Sequence, residues 1–190
     1  MITEPNDLLR CFGNGDPLYE EYHDHEWGLP VHGDAALYER IVLEGAQSGL
    51  SWLTILRKRD NYRAAFAGFE PAAVAAFGDD DVERLLADAG IVRNRLKITS
   101  AITNARAVVA LQEAGGSLEE LFWSFAPEAR VTRAPVWTEV PASTPESIAL
   151  AKALKKAGFV FVGPTTMYAA MQACGLVDDH LDGCIAARER

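Results

Sequence analysis

Apolar side chains recur at intervals of three and four residues along most of this chain, and no stretch sustains an alternation of apolar and polar residues. The first pattern is typical of helices with one buried face, whereas the second would indicate strands. Only Phe159–Val162 could pass for a short strand. The sequence therefore predicts an all-α protein, without internal repeats, low-complexity stretches or a long linker.

Glycines, prolines and capping residues divide this pattern into segments. The segment Ala35–Gln47 has Asp34 in position to cap its start. A second segment begins at Ser51 and keeps roughly helical spacing as far as Phe66. Further helices are predicted to start near Asp79, Asn94, Ser117, Ser143 and Gly163 and to end near Gly90, Gln112, Phe125, Gly158 and Gly175, with a capping box and a first-turn proline in Ser143–Glu146.

The chain has 190 residues, of which 49% are hydrophobic. This is enough to bury a core in one domain, 1–190. No apolar run approaches the roughly 20 residues of a membrane-spanning helix, and Met1–Asp7 lacks the basic and apolar layout of a signal peptide. We therefore expect a cytoplasmic protein that acts as a monomer and has no membrane partner.

The formal net charge of -9 argues at first against a nucleic-acid partner. The charge is uneven, however, because residues 1–50 carry two basic side chains against ten acids, whereas residues 51–110 carry nine against seven. No acid occurs between Asp88 and Glu113, a window that contains Arg93, Arg95, Lys97 and Arg106. A small basic face is possible there, although most such clusters are solvated surface.

Histidine and cysteine are scarce, with four and three residues. His180 and Cys184 lie four positions apart near the end of the chain, a spacing that suits two ligands of one metal ion. Cys11 and His23 could supply the other two, giving a closed zinc shell that ties together the two ends of the chain. A closed shell has no position for water, so the metal would stabilise the fold rather than take part in catalysis.

Other interpretations of these residues stay open. His25 could replace His23, Cys174 could be a core thiol, and all of them could be ordinary surface histidines and buried cysteines. A hydrolytic zinc site with three ligands and an activated water, assisted by Glu26 or Asp179, is a further alternative. It lacks a His-Glu-x-x-His motif, and the chain also has no phosphate-binding loop, nucleophile elbow or dinucleotide fingerprint.

Glu44 shares a predicted helical stripe with Leu37 and Ile41 and should face inward. A buried carboxylate normally has a partner or a purpose, because burial without one is costly. It could form a hydrogen bond or ion pair in the core. Alternatively, it could read a ligand at the floor of a pocket whose aromatic walls come from the residues nearby in sequence, Tyr19, Tyr22, Trp27 and Trp52.

Several stretches together resemble one family. They are Asp16–Tyr19, Tyr22–Asp24, Glu26–Gly28, Leu43–Gly45, Gly49–Trp52 and Met171–Leu176, followed by His180 and Cys184. In these motifs the chain resembles the 3-methyladenine DNA glycosylase I family of base-excision repair, from about Arg10 to Cys184. The combination is specific, because it extends over nearly the whole sequence.

This resemblance implies a helix-hairpin-helix fold in two helical lobes. The termini would form one lobe around a structural zinc ion held by Cys11, His23, His180 and Cys184. The other lobe would span about 34–140 and contain the hairpin near 79–112. The hairpin would meet DNA phosphates through the backbone at Gly90 and through Arg93, Arg95 and Lys97.

The resemblance also implies a reaction, hydrolysis of the N-glycosidic bond of 3-methyladenine in alkylated double-stranded DNA after the base is rotated out of the helix. Glu44 matches the base-reading glutamate, Tyr22 and Trp52 match pocket walls, and Tyr19 and Trp27 would buttress them. The free base would be the product, without a lyase step. A relative with another lesion specificity, and a module that binds DNA or a nucleobase without cutting it, are the alternatives.

One departure from the family concerns the residues after Cys11. The family commonly continues with Gly-Trp, whose tryptophan helps enclose the base, whereas this chain has Phe12 and Gly13 and a spacing to His23 that is one residue shorter. Phe12 would then replace the tryptophan, or the pocket would be more open. The hairpin also has a single glycine where many members of the wider superfamily have two.

Overall fold

The computed structural model describes residues 10–128 and 133–187, and within these ranges all regular structure is helical. The α-helices are α1 (Pro17–His25), α2 (Asp34–Gln47), α3 (Trp52–Leu56), α4 (Arg59–Ala65), α5 (Pro71–Ala75), α6 (Asp79–Ala87), α7 (Arg95–Glu113), α8 (Leu118–Trp123), α9 (Pro145–Lys156) and α10 (Pro164–Ala173), with short 3-10 helices at Ala67–Phe69 and Trp137–Glu139. Phe159–Val162 forms no strand. The all-α prediction is confirmed for the described residues.

Helix α2 is the element around which the others are arranged. It packs against α3, α7, α8 and α10, and α7 in turn packs against α5 and α6. Leu37, Ile41 and Glu44 are all buried, as their shared stripe predicts. An amphipathic helix buries its apolar stripe for the hydrophobic free energy. Because Glu44 lies on this stripe, its side chain is buried together with the apolar ones.

The predicted segment from Ser51 to Phe66 is wrong in its continuity, because the structure has two helices there. Ser51 caps α3 by accepting a hydrogen bond from the amide of Thr54, and the chain turns before α4 begins at Arg59. Leu56 then packs with the aromatic residues near α1, whereas Tyr62 joins the main core. Because of this turn, apolar residues of one continuous sequence pack into two separate hydrophobic clusters.

The first turn of α2 also differs from its prediction. Gly33, not Asp34, occupies the cap position. The Asp34 carboxylate instead accepts hydrogen bonds from the amide of Glu119 and the side chain of Gln112, at 2.9 and 2.8 Å. Asp34 therefore joins the start of α2 to α8 and the end of α7.

Helix α1 was not predicted from the apolar spacing, and its start is fixed by Asp16 and Pro17. The Asp16 carboxylate accepts from the amides of Leu18 and Tyr19, and proline suits the first helical position. The preceding segment meets the C-terminal segment, where the amide of Leu181 lies 3.1 Å from Cys11 Sγ. The two ends of the described chain are therefore adjacent.

Hydropathy and helix length bear on the membrane question. Over residues 10–128 and 133–187, no helix is both long enough and apolar enough to cross a bilayer.

Candidate active site and thiol–imidazole cluster

A cavity of about 320 Å³ lies where α1, α2, α3 and α10 meet. Pockets for small organic ligands begin at about this size. The structure brings to it all six side chains that the sequence suggested for a pocket, together with four others. The lining residues are Phe12, Tyr19, Tyr22, Trp27, Glu44, Gln47, Trp52, Trp137, Ala169 and Gln172.

The walls of the cavity are aromatic rings in mutual contact. Phe12 lies 4.9 Å from Tyr19 and 5.1 Å from Trp27, measured between ring centroids, and the second pair is edge-to-face. Tyr22 lies 5.4 Å from Trp52. Such tilted and edge-to-face pairs are the favoured geometries of aromatic side chains. Phe12 therefore takes part in the wall of the cavity.

Glu44 contributes the carboxyl group of the cavity and is 6% exposed. It accepts no hydrogen bond from the described residues, and Arg40, one turn earlier in α2, acts on it through charge alone. Burial raises the pKa of Glu44 to about 8, although Arg40 opposes the shift. At neutral pH the group is therefore mostly protonated, and a cation that enters the cavity would favour its ionised form.

Trp52 also lines the cavity and has a buried polar atom. Its Nε1 is buried and has no hydrogen-bond partner in the described chain. Buried donors are nearly always satisfied, so this unpaired N–H is an exception within the described part of the chain. Tyr22 is also buried, and burial, with the nearby Glu44, raises the pKa of its hydroxyl well above the usual value.

Gln47, Trp137, Ala169 and Gln172 were missed by the sequence analysis. Gln47 follows Glu44 by three positions in α2, so helical spacing could have identified it. Gln172 belongs to the Met171–Leu176 motif and donates to Asp179 at 2.8 Å. Trp137 had no such signal, because its place depends on a hydrogen bond from Nε1 to the carbonyl oxygen of Cys11, 126 positions away.

A second site lies beside the cavity. The Sγ atoms of Cys11 and Cys184 and a ring nitrogen of His23 all lie within 4.8 Å of one another, and we call these three residues the thiol–imidazole cluster. The His23 Nε2 atom is 3.4 Å from Cys184 Sγ. The His180 ring lies 5.3 Å from that of His23, and its Nε2 is buried without a partner among the described residues.

Each imidazole is oriented by a carboxylate and an arginine. His23 Nδ1 lies 2.7 Å from Asp24, which also binds Arg10. His180 Nδ1 lies 2.8 Å from Asp178. A carboxylate on Nδ1 fixes the tautomer in which Nε2 carries the free lone pair.

The arginines keep these two carboxylates ionised. The guanidinium of Arg10 lowers the pKa of Asp24 to about 2. Arg133 lies 2.7 Å from Asp178, and the hydrogen bonds from His180 and Arg133 hold the pKa of that carboxyl well below its usual range against the effect of burial. In this tautomer both Nε2 atoms are acceptors: that of His23 accepts from the amide of Cys11 at 3.2 Å, and that of His180 has no partner among the described residues.

The alternatives left open by the sequence are decided in part by position. His25 is exposed, and Cys174 is fully buried in the main core, so neither belongs to the cluster. Glu26 is bound by Arg40 and Arg59, and Asp179 by Tyr168 and Gln172. Neither carboxylate is available to activate water on a metal ion.

The residues for which the sequence predicts a hairpin lie in α6, the loop 88–94 and α7. The amide of Gly90 donates to the Asp88 carboxylate at 2.7 Å, and Lys58 donates to the carbonyl of Ala89 at 2.8 Å. Both bonds hold the loop in one conformation. The amide at Gly90 is thus already paired within the protein.

The three basic side chains of the hairpin differ in their surroundings. Arg93 is exposed, and Arg95 is exposed and pairs with Glu83 at 2.6 Å. Lys97 donates to the carbonyl oxygens of Ala46 and Ser48, at 2.8 and 2.7 Å. Lys97 therefore joins the hairpin to the C-terminal end of α2, the helix that carries Glu44.

Comparison with characterised proteins gives close matches over nearly the whole chain. The chain is 54% identical over 179 residues to DNA-3-methyladenine glycosylase 1 of Escherichia coli (strain K12), covering 93% of this chain and 96% of that protein. It is 44% identical over 177 residues to the DNA-3-methyladenine glycosylase of Haemophilus influenzae, covering 92% and 96%.

Solved structures agree with these matches. A crystal structure of 3-methyladenine DNA glycosylase I matches with a TM-score of 0.91 and 51% identity, covering 95% of this chain and all of that one. The Staphylococcus aureus enzyme, studied for its recognition of 3-methyladenine, matches with a TM-score of 0.88 and 35% identity, covering 95% and 96%. Residues 12–187 match the methyladenine glycosylase family. The chain therefore belongs to the methyladenine glycosylase family.

Proposed function

We propose that this protein is a monofunctional DNA glycosylase that hydrolyses the N-glycosidic bond of 3-methyladenine in alkylated double-stranded DNA. The observation that carries the proposal is Glu44, a buried carboxyl group that no described residue hydrogen-bonds, in a cavity walled by aromatic rings. Its relatives in Escherichia coli and Haemophilus influenzae bear the name of this activity. We further propose that it acts as a cytoplasmic monomer.

The chemistry of the lesion suits this cavity. An adenine methylated at N3 is cationic while it is attached to the sugar, so a carboxylate and electron-rich ring faces both attract it. Glu44 would then read the base as the carboxylate, and Tyr22 and Trp52 would enclose it. Tyr19 and Trp27 would support these walls, and Phe12 would close the side next to Cys11.

The positive charge also weakens the bond that is cut. The leaving base departs as a neutral molecule, so little acid or base assistance is needed from the protein. Among the described residues that line the cavity, Glu44 is the sole acid and none is a lysine. This composition supports hydrolysis without a covalent Schiff-base intermediate, and therefore without a lyase step.

We also propose that Cys11, His23, His180 and Cys184 hold one zinc ion. The donor set suits zinc, and the buried Nε2 of His180, which no described residue binds, fits a fourth ligand. With four protein ligands the ion would cross-link the two ends of the chain and supply no reactive water. Burial raises the pKa of the Cys11 thiol to about 12, so that thiol stays protonated until a cation binds.

The interface with DNA is proposed at the helix-hairpin-helix element formed by α6, the loop 88–94 and α7, within a helical lobe of about 34–140. The exposure of Arg93 and Arg95 supports their proposed contacts with phosphates. Lys97 uses two of its three N–H groups on the carbonyl oxygens of Ala46 and Ser48, which leaves one for a phosphate. The amide of Gly90 is hydrogen-bonded to the Asp88 carboxylate, and this bond stabilises the loop.

Release of free bases from methylated duplex DNA, resolved by chromatography, tests the proposal. Wild type should release 3-methyladenine, and Glu44→Ala should release far less while the fold, followed by circular dichroism, is kept. Release of a different base would favour altered lesion specificity. Binding without any release would indicate a non-catalytic module, and either result would overturn the proposed substrate.

A further inference from the structure

Trp137 lines the cavity from a segment that is remote in sequence from the other lining residues. It begins the 3-10 helix Trp137–Glu139 and is 38% exposed, which is unusual for so large an apolar side chain. Its Nε1 donates to the carbonyl oxygen of Cys11 at 2.6 Å. The segment before it is held by a hydrogen bond from the amide of Asp182 to the carbonyl of Ala134, at 3.0 Å. The indole is therefore fixed at the rim of the cavity.

Its neighbours there are two other walls of the same cavity. The Trp137 ring lies 6.0 Å from Trp27 and 6.3 Å from Phe12, between centroids. Both contacts are tilted, so the three rings surround one side of the opening instead of stacking into a closed core. Trp137 therefore combines a place in the cavity wall with exposed surface that an incoming base could cover.

We propose that Trp137 is a further specificity-determining residue, whose indole covers the base in the cavity and favours a cationic purine over a neutral one. The inference deepens the proposed glycosylase function and rests on it. Indole is the side chain with the strongest attraction for a cation over its face. A neutral adenine would bury apolar surface against Trp137, but it would lack the electrostatic attraction between a cation and the indole ring.

The test measures a ratio of affinities, because a general loss of structure would weaken both ligands. The probes are the 3,9-dimethyladeninium ion, which carries a fixed positive charge, and neutral 9-methyladenine, each titrated by calorimetry. The variants are Trp137→Leu, which keeps apolar bulk without a ring, and Trp137→Phe, which keeps a ring without the N–H. Trp123→Phe is the matched control, since the Nε1 of Trp123 also donates to a main-chain carbonyl, that of Val31, outside the cavity.

We expect Trp137→Leu to lower the preference for the cation by roughly 3- to 30-fold, the range of cation–π attraction. Trp137→Phe should keep part of it, and Trp123→Phe all of it. An unchanged preference in Trp137→Leu, or a loss in Trp137→Phe as large as in Trp137→Leu, would overturn the proposal. Base release by wild type is recorded in parallel: activity together with an unchanged preference rejects only the role of Trp137, whereas no release from methylated DNA rejects the proposed function.

Discussion

The carboxylate of Asp178 lies 2.8 Å from Nδ1 of His180, whose other ring nitrogen is buried without a partner among the described residues, in a ring 5.3 Å from that of His23. We expect Asp178→Asn to weaken zinc binding by roughly 10- to 100-fold, because an orienting carboxylate sets both the tautomer and the basicity of the ligand. Competition with a chromogenic zinc chelator measures the zinc affinity of each variant. Asp182→Asn, in an exposed carboxylate of the same loop, should leave the affinity unchanged.

Gly28 is the residue against which the His180 ring rests. A Cβ atom at Gly28 would lie 2.8 Å from Cε1 of His180, and its φ of +77° is costly for other residues. Gly28→Ala should therefore displace the ring and lower the metal content of the purified protein. Gly33→Ala is the control, since Gly33 has a φ of +87° and no atom within 4 Å of such a Cβ. Equal metal content in both variants would contradict the packing role.

Removing a thiol from the cluster tests the cross-link itself. Cys184→Ser should abolish stoichiometric zinc and cost about 3 kcal/mol or more, which lowers the melting temperature by roughly 6–12 °C in a chain of this size. Cys174→Ala, in the fully buried thiol of the core, should lower stability but keep the zinc. Zinc analysis beside calorimetry separates the two. A Cys184→Ser protein with full zinc content would exclude the four-ligand site.

The protonation of Glu44 makes stability depend on pH. The pKa of Glu44 is about 8 in the folded protein, compared with an ordinary value of 4.5. Between these two pH values the folded state binds more protons than the unfolded state. The free energy of unfolding therefore falls as the pH rises from 4.5 to 8. Glu44→Gln does not titrate. Relative to wild type, it should gain about 3 kcal/mol in its free energy of unfolding between pH 5 and pH 8.

Urea unfolding of the free protein at these two pH values measures the effect, with Glu120→Gln as a control in an exposed carboxylate. A difference between wild type and Glu44→Gln that does not change with pH would show that the buried group is already ionised. The same variant should lose most of its affinity for 3-methyladenine, so stability and function are expected to change in opposite directions at this position.

DNA binding by the hairpin predicts different effects for Arg93 and Lys97. Arg93→Ala should reduce the slope of log affinity against log salt by about 1, because one phosphate contact is lost. Lys97→Met should also lower the free energy of unfolding by about 1–3 kcal/mol, since the carbonyls of Ala46 and Ser48 lose their charged donor. An unchanged salt slope in Arg93→Ala would place the interface elsewhere.

The helical architecture could be predicted because one physical rule, burial of a periodic stripe, operates within each segment. The same rule predicts that Glu44 lies in the interior, and it is buried there. The rule failed at Ser51–Phe66, because the helix is interrupted there. Some apolar residues of this sequence pack in the main core and others pack in the cluster near α1. The rule also could not anticipate that Asp34 binds α8 instead of capping α2, because the sequence does not show which amide will be its nearest donor.

The pocket was predictable from residues near Glu44 in the chain and from the resemblance to a family. Neither kind of information predicts Trp137. Its position depends on the hydrogen bond to the carbonyl oxygen of Cys11 and on contacts that form only when the ends of the chain meet. Long-range contacts of this kind leave no periodic pattern. They are the part of the site that required the structure.

Two pairs of consecutive residues join the cluster to the cavity. Cys11 and His23 belong to the cluster, whereas their neighbours Phe12 and Tyr22 line the cavity. Consecutive Cα atoms are held about 3.8 Å apart, so neither wall can shift without moving a ligand. Evolution of a new lesion preference would therefore be constrained on this side, and the segment that carries Trp137, which supplies no ligand, is where we expect related enzymes to diverge.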